Sequence, residues 1–449
     1  MPGPERPQKA RVMSAAPLWS ATFRTRLDEA DPVLADLVLR EGQRQQDAVN
    51  LIASESYCPR ATIDTEASIL TVKNATGYAD SRAIAGCEVF DEIERLACAR
   101  ACALFSAERA NLQPLASTIA NIAVLRGLLR PGERLLALDE AAGGHHSHGS
   151  AEHLSGQEYR VETFGVNEAK GQIDVDRVAD QARRFRPRAI IAGSTHFPRA
   201  IDFHGLAEIA RSVNAYLISD IAHVAGLVVA GLHANPVLIS DVVTTSTHKT
   251  LCGPRTGGVI LSRAKHEKAI RRALFPGLQG APGAHIIAAR AVLFELVTRA
   301  GFKEAMTRVV ANARAFAERL LENGVPLYLG GTDTHMVVID LGSGGPSGKS
   351  VELHLAGHRL LGNAVALPDD RTPPIRSGLR LGSVAMTLRG VDEAGFRVLA
   401  DAVAQLVRQG GASLDQRLAG AMVDLARAHP IPDEMAPSRS QHIWNQRHV

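Results

Sequence analysis

Short apolar runs that alternate with helix-like segments constrain the fold of this 449-residue chain most strongly. Each run is nearly continuous in apolar residues, which is typical of strands buried on both faces of a parallel sheet. The runs are RLLALD (134–139), AIIAG (189–193), AYLISD (215–220), DVVTTS (241–246) and GGVILS (257–262). Helical segments such as DFHGLAEIARSVN separate several of them. The pattern predicts an α/β fold with a large, mainly parallel sheet covered by helices on both faces.

The pattern changes near residue 300. A helical segment, FKEAMTRVVANARAFAERLLENG, is followed by the apolar run MVVIDL, a Gly/Ser-rich stretch, another helix and the short strand RSGLRLG. This order predicts a smaller C-terminal α+β domain. The predicted divisions are a disordered leader (1–20), an N-terminal helical arm (21–50), a large domain (51–300), a small C-terminal domain (301–430) and a polar tail (431–449).

Composition and charge exclude several classes of protein. Fifty Lys and Arg against 47 Asp and Glu leave a net charge of +3, too small for a nucleic-acid-binding footprint. The five cysteines are scattered without a CxxC motif, as in a reducing compartment. The longest apolar stretch contains Asp220 and His223, and the N-terminus has no signal-like apolar run. We therefore expect a cytoplasmic protein that binds neither nucleic acid nor membranes.

Two strand ends carry the candidate chemistry. AYLISD ends at Asp220, and DVVTTS runs into Thr247, His248 and Lys249. Ligands of open parallel sheets bind at the carboxyl ends of the strands, so Asp220 and Lys249 meet if these strands are neighbours. A lysine can form a Schiff base with the aldehyde of pyridoxal 5'-phosphate, and an aspartate can pair with its ring nitrogen. The alternative is a surface lysine and a turn aspartate.

The segment TTSTHKTLCGPRTGGVIL closely resembles the cofactor-lysine motif of serine hydroxymethyltransferases, which are fold-type I pyridoxal-phosphate enzymes. The resemblance covers roughly residues 30–430. The other matching blocks are LIASES, NLQPLASTIAN, GGHHSHGS, ISDIAHVAGLV, FPGLQGAPGAH, GGTDTH and SGLRLGSVAMTLRG. It implies the family's fold, pyridoxal 5'-phosphate as cofactor, and an amino acid as substrate.

The resemblance also implies roles for residues that would hold the cofactor. Lys249 would bind it covalently, Asp220 would pair with the ring nitrogen, and His145 would stack on the ring. The local alternative for the GGHHSHGS histidines is a metal site, which lacks a completing carboxylate or cysteine pattern. The remaining cofactor contacts would come from His223 and Thr195 near the ring hydroxyl, Ser117 and Thr118 at the phosphate, and Gly280 across a dimer interface.

A second set of residues would hold the substrate. Arg380 would bind the substrate carboxylate, a task that suits the guanidinium fork. Ser54 would lie near the same carboxylate, and His248 would lie beside the reacting carbons. The family's use of residues from two subunits implies a homodimer.

The chain departs from the family where folate is handled. The family segment is approximately NKYAEGYPGKRYYGG, and this chain has VKNATGYADSRAIAGC. On the folate side, Asn74 and Thr76 stand for a tyrosine and the catalytic glutamate, Ala83 and Ile84 for paired tyrosines, and Val365 for a pterin-contacting asparagine. Elsewhere, Ala116-Ser117-Thr118 stands for Ser-Gly-Ser, Thr195-His196-Phe197 for Ser-Ala-Tyr, Ala281 for a glycine, and Cys252 for an arginine. Thr76 cannot act as a carboxylic acid or base, so we expect folate-dependent transfer to be crippled.

The retained residues can still labilise a bond at Cα of a β-hydroxy amino acid. We therefore predict a folate-independent L-threonine transaldolase or aldolase that transfers a glycine unit to an aldehyde, as relatives in nucleoside-antibiotic biosynthesis do. Three alternatives stay open: a divergent serine hydroxymethyltransferase, an amino-acid racemase on the same scaffold, and a non-catalytic paralogue. The acceptor aldehyde cannot be read from the sequence.

Overall fold

The computed structural model of the protein describes residues 22–342, 344–370, 377–408 and 414–432. The predicted leader (1–20) and residues 433–449 of the predicted tail lie outside the described residues. Within those residues, no helix combines the length and the apolar character needed to cross a bilayer. A cytoplasmic location stays a prediction from the sequence.

A seven-stranded sheet forms the centre of the larger part of the chain. Its strands are β1 (Arg109–Asn111), β2 (Arg134–Leu138), β3 (Arg160–Phe164), β4 (Ala189–Gly193), β5 (Tyr216–Asp220), β6 (Val242–Ser246) and β7 (Gly258–Ser262). The order across the sheet is β1-β7-β6-β5-β4-β2-β3. The five strands from β6 to β3 are parallel, and β7 is antiparallel to both of its neighbours, β6 and β1. The predicted mainly parallel sheet is confirmed.

Alternate residues of each strand enter two different hydrophobic cores. In β2, Leu136 and Leu138 pack into one core, whereas Leu135 and Ala137 pack into the other. The second core is closed by the Ser117–Leu128 helix, which packs against the Ala264–Leu274 helix. Burial on both faces explains why the strands are continuous apolar runs.

Helices cover the large sheet and a second, smaller antiparallel sheet. The α-helices are Leu27–Ala30, Pro32–Asp47, Arg60–Glu66, Glu88–Phe105, Ser117–Leu128, Leu154–Glu158, Val175–Phe185, Phe203–Ser212, Ala225–Val229, Ala264–Leu274, Ala284–Leu296, Ala300–Glu322, Gly348–Gly357, Val384–Leu388, Glu393–Arg408 and Gln416–Ala428. The 3-10 turns are Thr22–Arg24, Ile69–Val72, His146–His148, Glu168–Lys170 and Tyr328–Gly330. Ser347 in the Gly/Ser-rich stretch caps the Gly348–Gly357 helix by accepting from the Ser350 amide.

A smaller antiparallel sheet has its own core. Its strands are β8 (Met336–Asp340), β9 (Asn363–Val365) and β10 (Gly378–Gly382), in the order β8-β10-β9. The Ala300–Glu322 helix joins the two parts, because Met306 packs into the core of the large sheet and Phe316 into that of the small one. The remaining two-residue strands pair as Val49–Asn50 with Leu360–Leu361, Gly77–Tyr78 with Ser81–Arg82, and Val166–Asn167 with Gln172–Ile173.

Candidate active site

Three neighbouring strands end at one edge of the large sheet. The register aligns Gly193 of β4 and Thr244 of β6 with Asp220 of β5. Gly193 lies so close to β5 that a Cβ there would be 2.4 Å from the Asp220 carbonyl oxygen. Because β6 is parallel to β5 and leads directly into Lys249, the side chains of Asp220 and Lys249 reach one site, as the sequence predicts.

Asp220 is held by two side chains. Asn121 Nδ2 donates to Asp220 Oδ2 over 2.9 Å, and His148 Nε2 donates to the same oxygen over 3.1 Å. Asn121 is itself oriented by Thr244, whose hydroxyl donates to Asn121 Oδ1 over 2.6 Å. Burial opposes ionisation of Asp220, but the His148 hydrogen bond and nearby positive charge hold the pKa of Asp220 below its usual range. The group is therefore a buried carboxylate with a fixed orientation.

His145 is oriented through the same network. Asn121 Nδ2 also donates to Ser147 Oγ over 2.9 Å, and Ser147 Oγ lies 2.7 Å from His145 Nδ1. The Ser147 amide donates to His145 Nδ1 as well, over 3.1 Å, so this nitrogen is an acceptor. In the described part of the chain, no three His, Cys, Asp or Glu side chains are arranged to hold a metal ion.

Lys249 is partly buried, and its charge acts on the neighbouring histidines. Burial lowers the pKa of Lys249 to about 8, although Asp220 acts in the opposite direction. Burial, with the charges of neighbouring groups including Lys249, lowers the pKa of His145 to about 2 and that of His248 to about 3. The pKa of His223 is lowered for the same reasons. These imidazoles are therefore neutral at physiological pH.

Arg380 connects the small sheet to the site. Its Nε donates to Asn363 Oδ1 over 3.0 Å within the small sheet, and its Nη1 donates to the Thr195 carbonyl over 2.6 Å beyond the end of β4. Burial lowers the pKa of Arg380 to about 10, which leaves it charged at neutral pH. The rings of His223 and His335 are nearly parallel, with centroids 5.6 Å apart. Burial, together with the charge of Arg380, lowers the pKa of both histidines.

Ser54 lies between two anchored residues of the LIASES block. The Ala53 carbonyl accepts a hydrogen bond from His335 Nε2 over 3.1 Å. On the other side, Ser56 Oγ donates to the His248 carbonyl over 2.7 Å. The block therefore contacts both the residue that precedes Lys249 and the histidine that stacks on His223.

Ser117 and Thr118 begin a helix, as the sequence predicts. Its cap residue, Ala116, makes no side-chain hydrogen bond to the first helical amides. Free amides at a helix N-terminus bind anions such as phosphate. Asn121, which holds Asp220, lies one turn further along the same helix. We call the free amides at Ser117 and Thr118 the anion cradle. One helix thus connects the anion cradle to the buried carboxylate of Asp220.

Gly280 lies beside the segment that leads into this cradle. The side chain of the preceding residue, Gln279, accepts from the Leu115 amide over 3.1 Å and donates to the Gln113 carbonyl over 2.8 Å. A Cβ at Gly280 would meet no atom within 4 Å. The position is therefore open to a further contact, and its role across a dimer interface stays a prediction.

Several buried polar atoms at the site have no partner within the described residues. They are Thr195 Oγ1, His223 Nδ1 and His248 Nδ1. Buried polar atoms are almost always hydrogen-bonded, so these atoms indicate a polar ligand. A partly buried lysine, a buried carboxylate and an anion cradle together match the aldehyde, ring nitrogen and phosphate of pyridoxal 5'-phosphate. The residues present fit this cofactor.

Comparison with known proteins decides the family. The family model for serine hydroxymethyltransferase matches residues 27–403. This chain belongs to the serine hydroxymethyltransferase family. The serine hydroxymethyltransferase of Coprothermobacter proteolyticus is 42% identical over 405 residues, which cover 90% of this chain and 97% of the relative. The chain is accordingly a fold-type I, pyridoxal-phosphate-dependent transferase that acts on amino acids.

Sequence reasoning missed several residues of this hydroxymethyltransferase-family site. They are Asn121, Ser147, His148, Thr244, His335 and Asn363. A signal existed for two of them. Asn121 lies four residues after Ser117 on a helix, and His148 lies three after His145, so each faces the same side as a predicted residue.

The pH dependence of cofactor attachment tests the environment of Lys249. Only the neutral amine attacks the aldehyde, and burial lowers the pKa of Lys249 to about 8. We expect the rate of pyridoxal 5'-phosphate uptake by the apoprotein to rise about tenfold per pH unit below pH 8 and to level off above it. Stopped-flow absorbance measures this rate. A rate that climbs on to about pH 10, as for an exposed lysine, would contradict the assignment.

Proposed function

We propose that this chain cleaves and forms the Cα–Cβ bond of β-hydroxy amino acids and transfers the glycine unit to an aldehyde without tetrahydrofolate. This is L-threonine transaldolase activity. The observation that supports it concerns residues 73–86. A buried arginine of this segment matches the family pattern, whereas three positions at which the family has a glutamate and two tyrosines do not.

The anchor of this segment is Arg82. Its side chain is 5% exposed and forms ion pairs with Asp91, over 2.8 Å, and with Glu94. It also donates to the Ala75 carbonyl over 2.9 Å. The segment therefore keeps a defined conformation on the Glu88–Phe105 helix. General decay of the chain would be expected to disturb this buried network as well.

The outward positions offer no acid–base chemistry. Ala83 and Ile84 are exposed, and the Thr76 hydroxyl donates locally to Asn74 Oδ1 over 2.9 Å. The resemblance expects a glutamate and two tyrosines at these three positions. Threonine cannot exchange a proton at neutral pH, and alanine and isoleucine carry no side-chain donor. The losses favour an acceptor that needs no proton relay from this segment.

The proposed roles of the retained residues follow from their contacts. Bound pyridoxal 5'-phosphate supplies an electron sink for the bonding pair released at Cα. Asp220 would hold the proton on the ring nitrogen, and the Ser117 and Thr118 amides would bind the phosphate. Arg380 would bind the substrate carboxylate with the part of its guanidinium that Asn363 and Thr195 leave free. Ser54 would contact the same carboxylate.

His248 is the proposed base. Its Nδ1 is buried and without a partner in the described residues, so it is free to accept a hydrogen bond from the β-hydroxyl of the substrate. In threonine cleavage it would take the β-hydroxyl proton while the Cα–Cβ bond breaks, releasing acetaldehyde. Addition of the glycine unit to a second aldehyde returns that proton to the new hydroxyl.

The remaining proposed contacts are with the cofactor ring. His145 would pack on the ring, and His223 and Thr195 would face the hydroxyl of the ring.

The test is incubation with L-threonine and a panel of aldehydes in the absence of folate. We expect acetaldehyde release and new β-hydroxy amino acids, detected by mass spectrometry. Omitting the added aldehyde is the control, which separates transaldolase activity from simple aldolase activity. If neither acetaldehyde nor any glycyl adduct forms, the proposal is wrong.

A second candidate is serine hydroxymethyltransferase itself, which interconverts serine and glycine with tetrahydrofolate. The 42% identity to a relative of that name favours it. The candidate predicts that tetrahydrofolate accelerates glycine formation from L-serine. Racemase activity predicts instead exchange of the Cα hydrogen without release of an aldehyde.

We also propose a homodimer built from a large domain (51–300) and a small domain (301–430). Exposed apolar side chains support the dimer, because Ile69, Val72 and Leu115 are exposed in the single chain. The division into two domains is supported by the second core, which Val337, Ile339, Leu379 and Leu381 of the small sheet form with its helices, while Val338 and Val365 of that sheet pack into the core of the large sheet.

Replacing Arg380 by lysine tests the carboxylate contact. We expect the KM for L-threonine to rise about 10- to 100-fold, since a charge-assisted hydrogen bond contributes about 1.5–3 kcal/mol, while kcat changes less. Steady-state kinetics measures both constants. Arg397→Lys, which alters an exposed ion pair with Glu322, is the control and should leave KM unchanged. A fall in kcat alone would argue against carboxylate binding.

A further inference from the structure

Arg290 is a fully buried cation outside the site described above. It lies on the Ala284–Leu296 helix and is 0% exposed. Its Nη1 donates to the carbonyls of Leu112, over 2.9 Å, and Gly258, over 3.0 Å, and its Nη2 donates to the Thr256 carbonyl over 2.6 Å. Its Nε has no partner within the described residues.

No carboxylate in the described part of the chain forms an ion pair with Arg290. Burial lowers its pKa to about 10, and the one acid whose charge opposes this shift is Glu66. The guanidinium therefore remains charged at neutral pH and is surrounded by backbone carbonyls. A buried charge without a bonded counter-charge is costly, and such groups are usually compensated by a ligand or a partner.

The three carbonyls belong to two segments that meet at the start of the Ser117–Leu128 helix. Leu112 precedes this helix, Thr256 lies in the loop between Lys249 and β7, and Gly258 is the first residue of β7. The segments touch each other directly, because the Gly258 amide donates to the Pro114 carbonyl over 2.9 Å.

Two glycines let Arg290 approach the contact between these two segments. Gly257 has a φ of +97°, and a Cβ there would lie 1.7 Å from Arg290 Nη2. A Cβ on Gly258 would lie 3.0 Å from the Cα of Ser117, the first residue of the helix. One residue, Gly258, thus separates the guanidinium from the start of the helix. Its charge acts through a region that excludes water, where screening is weak.

We propose that Arg290 is a positioning residue for the anion cradle. It joins the segment that leads into the Ser117–Leu128 helix to the segment that carries Thr256 and Gly258, and it adds a buried positive charge beside the cradle. Arg290 does not touch the cofactor. It favours the phosphate dianion by its field and holds the helix start against the loop that carries Thr256. The phosphate in turn supplies the negative charge that the buried guanidinium lacks.

The experiment compares two ligands that differ only in the phosphate. Dissociation constants of pyridoxal 5'-phosphate and of pyridoxal are measured by fluorescence for the wild-type apoprotein and for Arg290→Gln and Arg290→Lys. The glutamine variant keeps a donor and loses the charge, so we expect its affinity for pyridoxal 5'-phosphate to fall about tenfold or more while its affinity for pyridoxal is kept. The lysine variant keeps the charge and should retain most of this phosphate preference.

Arg389→Gln is the matched control. Arg389 is also buried and donates to backbone carbonyls, including those of Ala48 and Ala426, but it lies away from the cradle. Its loss should lower the melting temperature and leave the ratio of the two affinities unchanged. An unchanged ratio in Arg290→Gln, or equal weakening of both ligands, would overturn the proposal. If the glutamine variant does not fold, a tenfold fall of the ratio in Arg290→Lys overturns it.

Discussion

Replacing Lys249 by alanine is expected to produce a protein that loses pyridoxal 5'-phosphate on dialysis and cleaves L-threonine at least about 10³-fold more slowly. The lysine is partly buried and interacts electrostatically with Asp220 and Arg380, and no other lysine takes part in the described site. The variant loses the covalent attachment of the cofactor. Cofactor absorbance after dialysis and acetaldehyde release measure the two effects.

Lys268→Ala is the control for this change, because Lys268 is an exposed residue of the Ala264–Leu274 helix. It should retain cofactor and turnover. Unchanged turnover in Lys249→Ala would mean that threonine cleavage does not depend on pyridoxal chemistry at this lysine.

Replacing Asp220 by asparagine is expected to lower kcat/KM for L-threonine cleavage by about 10²–10³-fold, because a preorganised charge opposite the ring nitrogen is lost. The fold should survive, since asparagine can still accept from Asn121 and His148 at the retained oxygen position. The absorbance spectrum of the bound cofactor should change, whereas its affinity should change less. Kinetics and spectra of the dialysed holoenzyme measure these effects.

Asp241→Asn is the matched control for this experiment. Asp241 accepts from His266 Nε2 over 2.9 Å, much as Asp220 accepts from His148, but it lies at the opposite end of β6. Asp241→Asn should affect stability alone. If the two variants lose activity equally, Asp220 has no specific role at the ring.

The central strands could be predicted because they are buried on both faces. The edge strands β1 (Arg109–Asn111) and β3 (Arg160–Phe164) were not predicted, since each has one or more exposed positions and no continuous apolar run. The short strand Val49–Asn50 also escaped prediction, because its partner Leu360–Leu361 lies about 300 residues away in the sequence.

The site could be predicted only in part. Asp220 and Lys249 follow from the rule for strand ends, whereas the other named residues came from the resemblance. Asn121 binds Asp220 across 99 residues and Thr244 across 123, and such contacts depend on how a helix face meets distant strands. The charge of Arg290 could not be placed from sequence either, because its partners are backbone carbonyls.

The proposed function requires a site that keeps the residues for the amino acid and the cofactor and lacks the side chains expected to handle folate. Buried networks around Asp220, Arg380 and Arg82 are intact, whereas Thr76, Ala83 and Ile84 carry no group for acid–base chemistry on a folate. The enzyme should therefore turn over β-hydroxy amino acids at a rate that folate does not change.

The most direct test is the initial rate of glycine formation from L-serine by the holoenzyme, measured with and without saturating tetrahydrofolate. The account predicts the same rate in both reactions. Acceleration by tetrahydrofolate of about 10²-fold or more, the size expected of a working acid–base relay, would contradict it and establish the enzyme as a hydroxymethyltransferase in the strict sense.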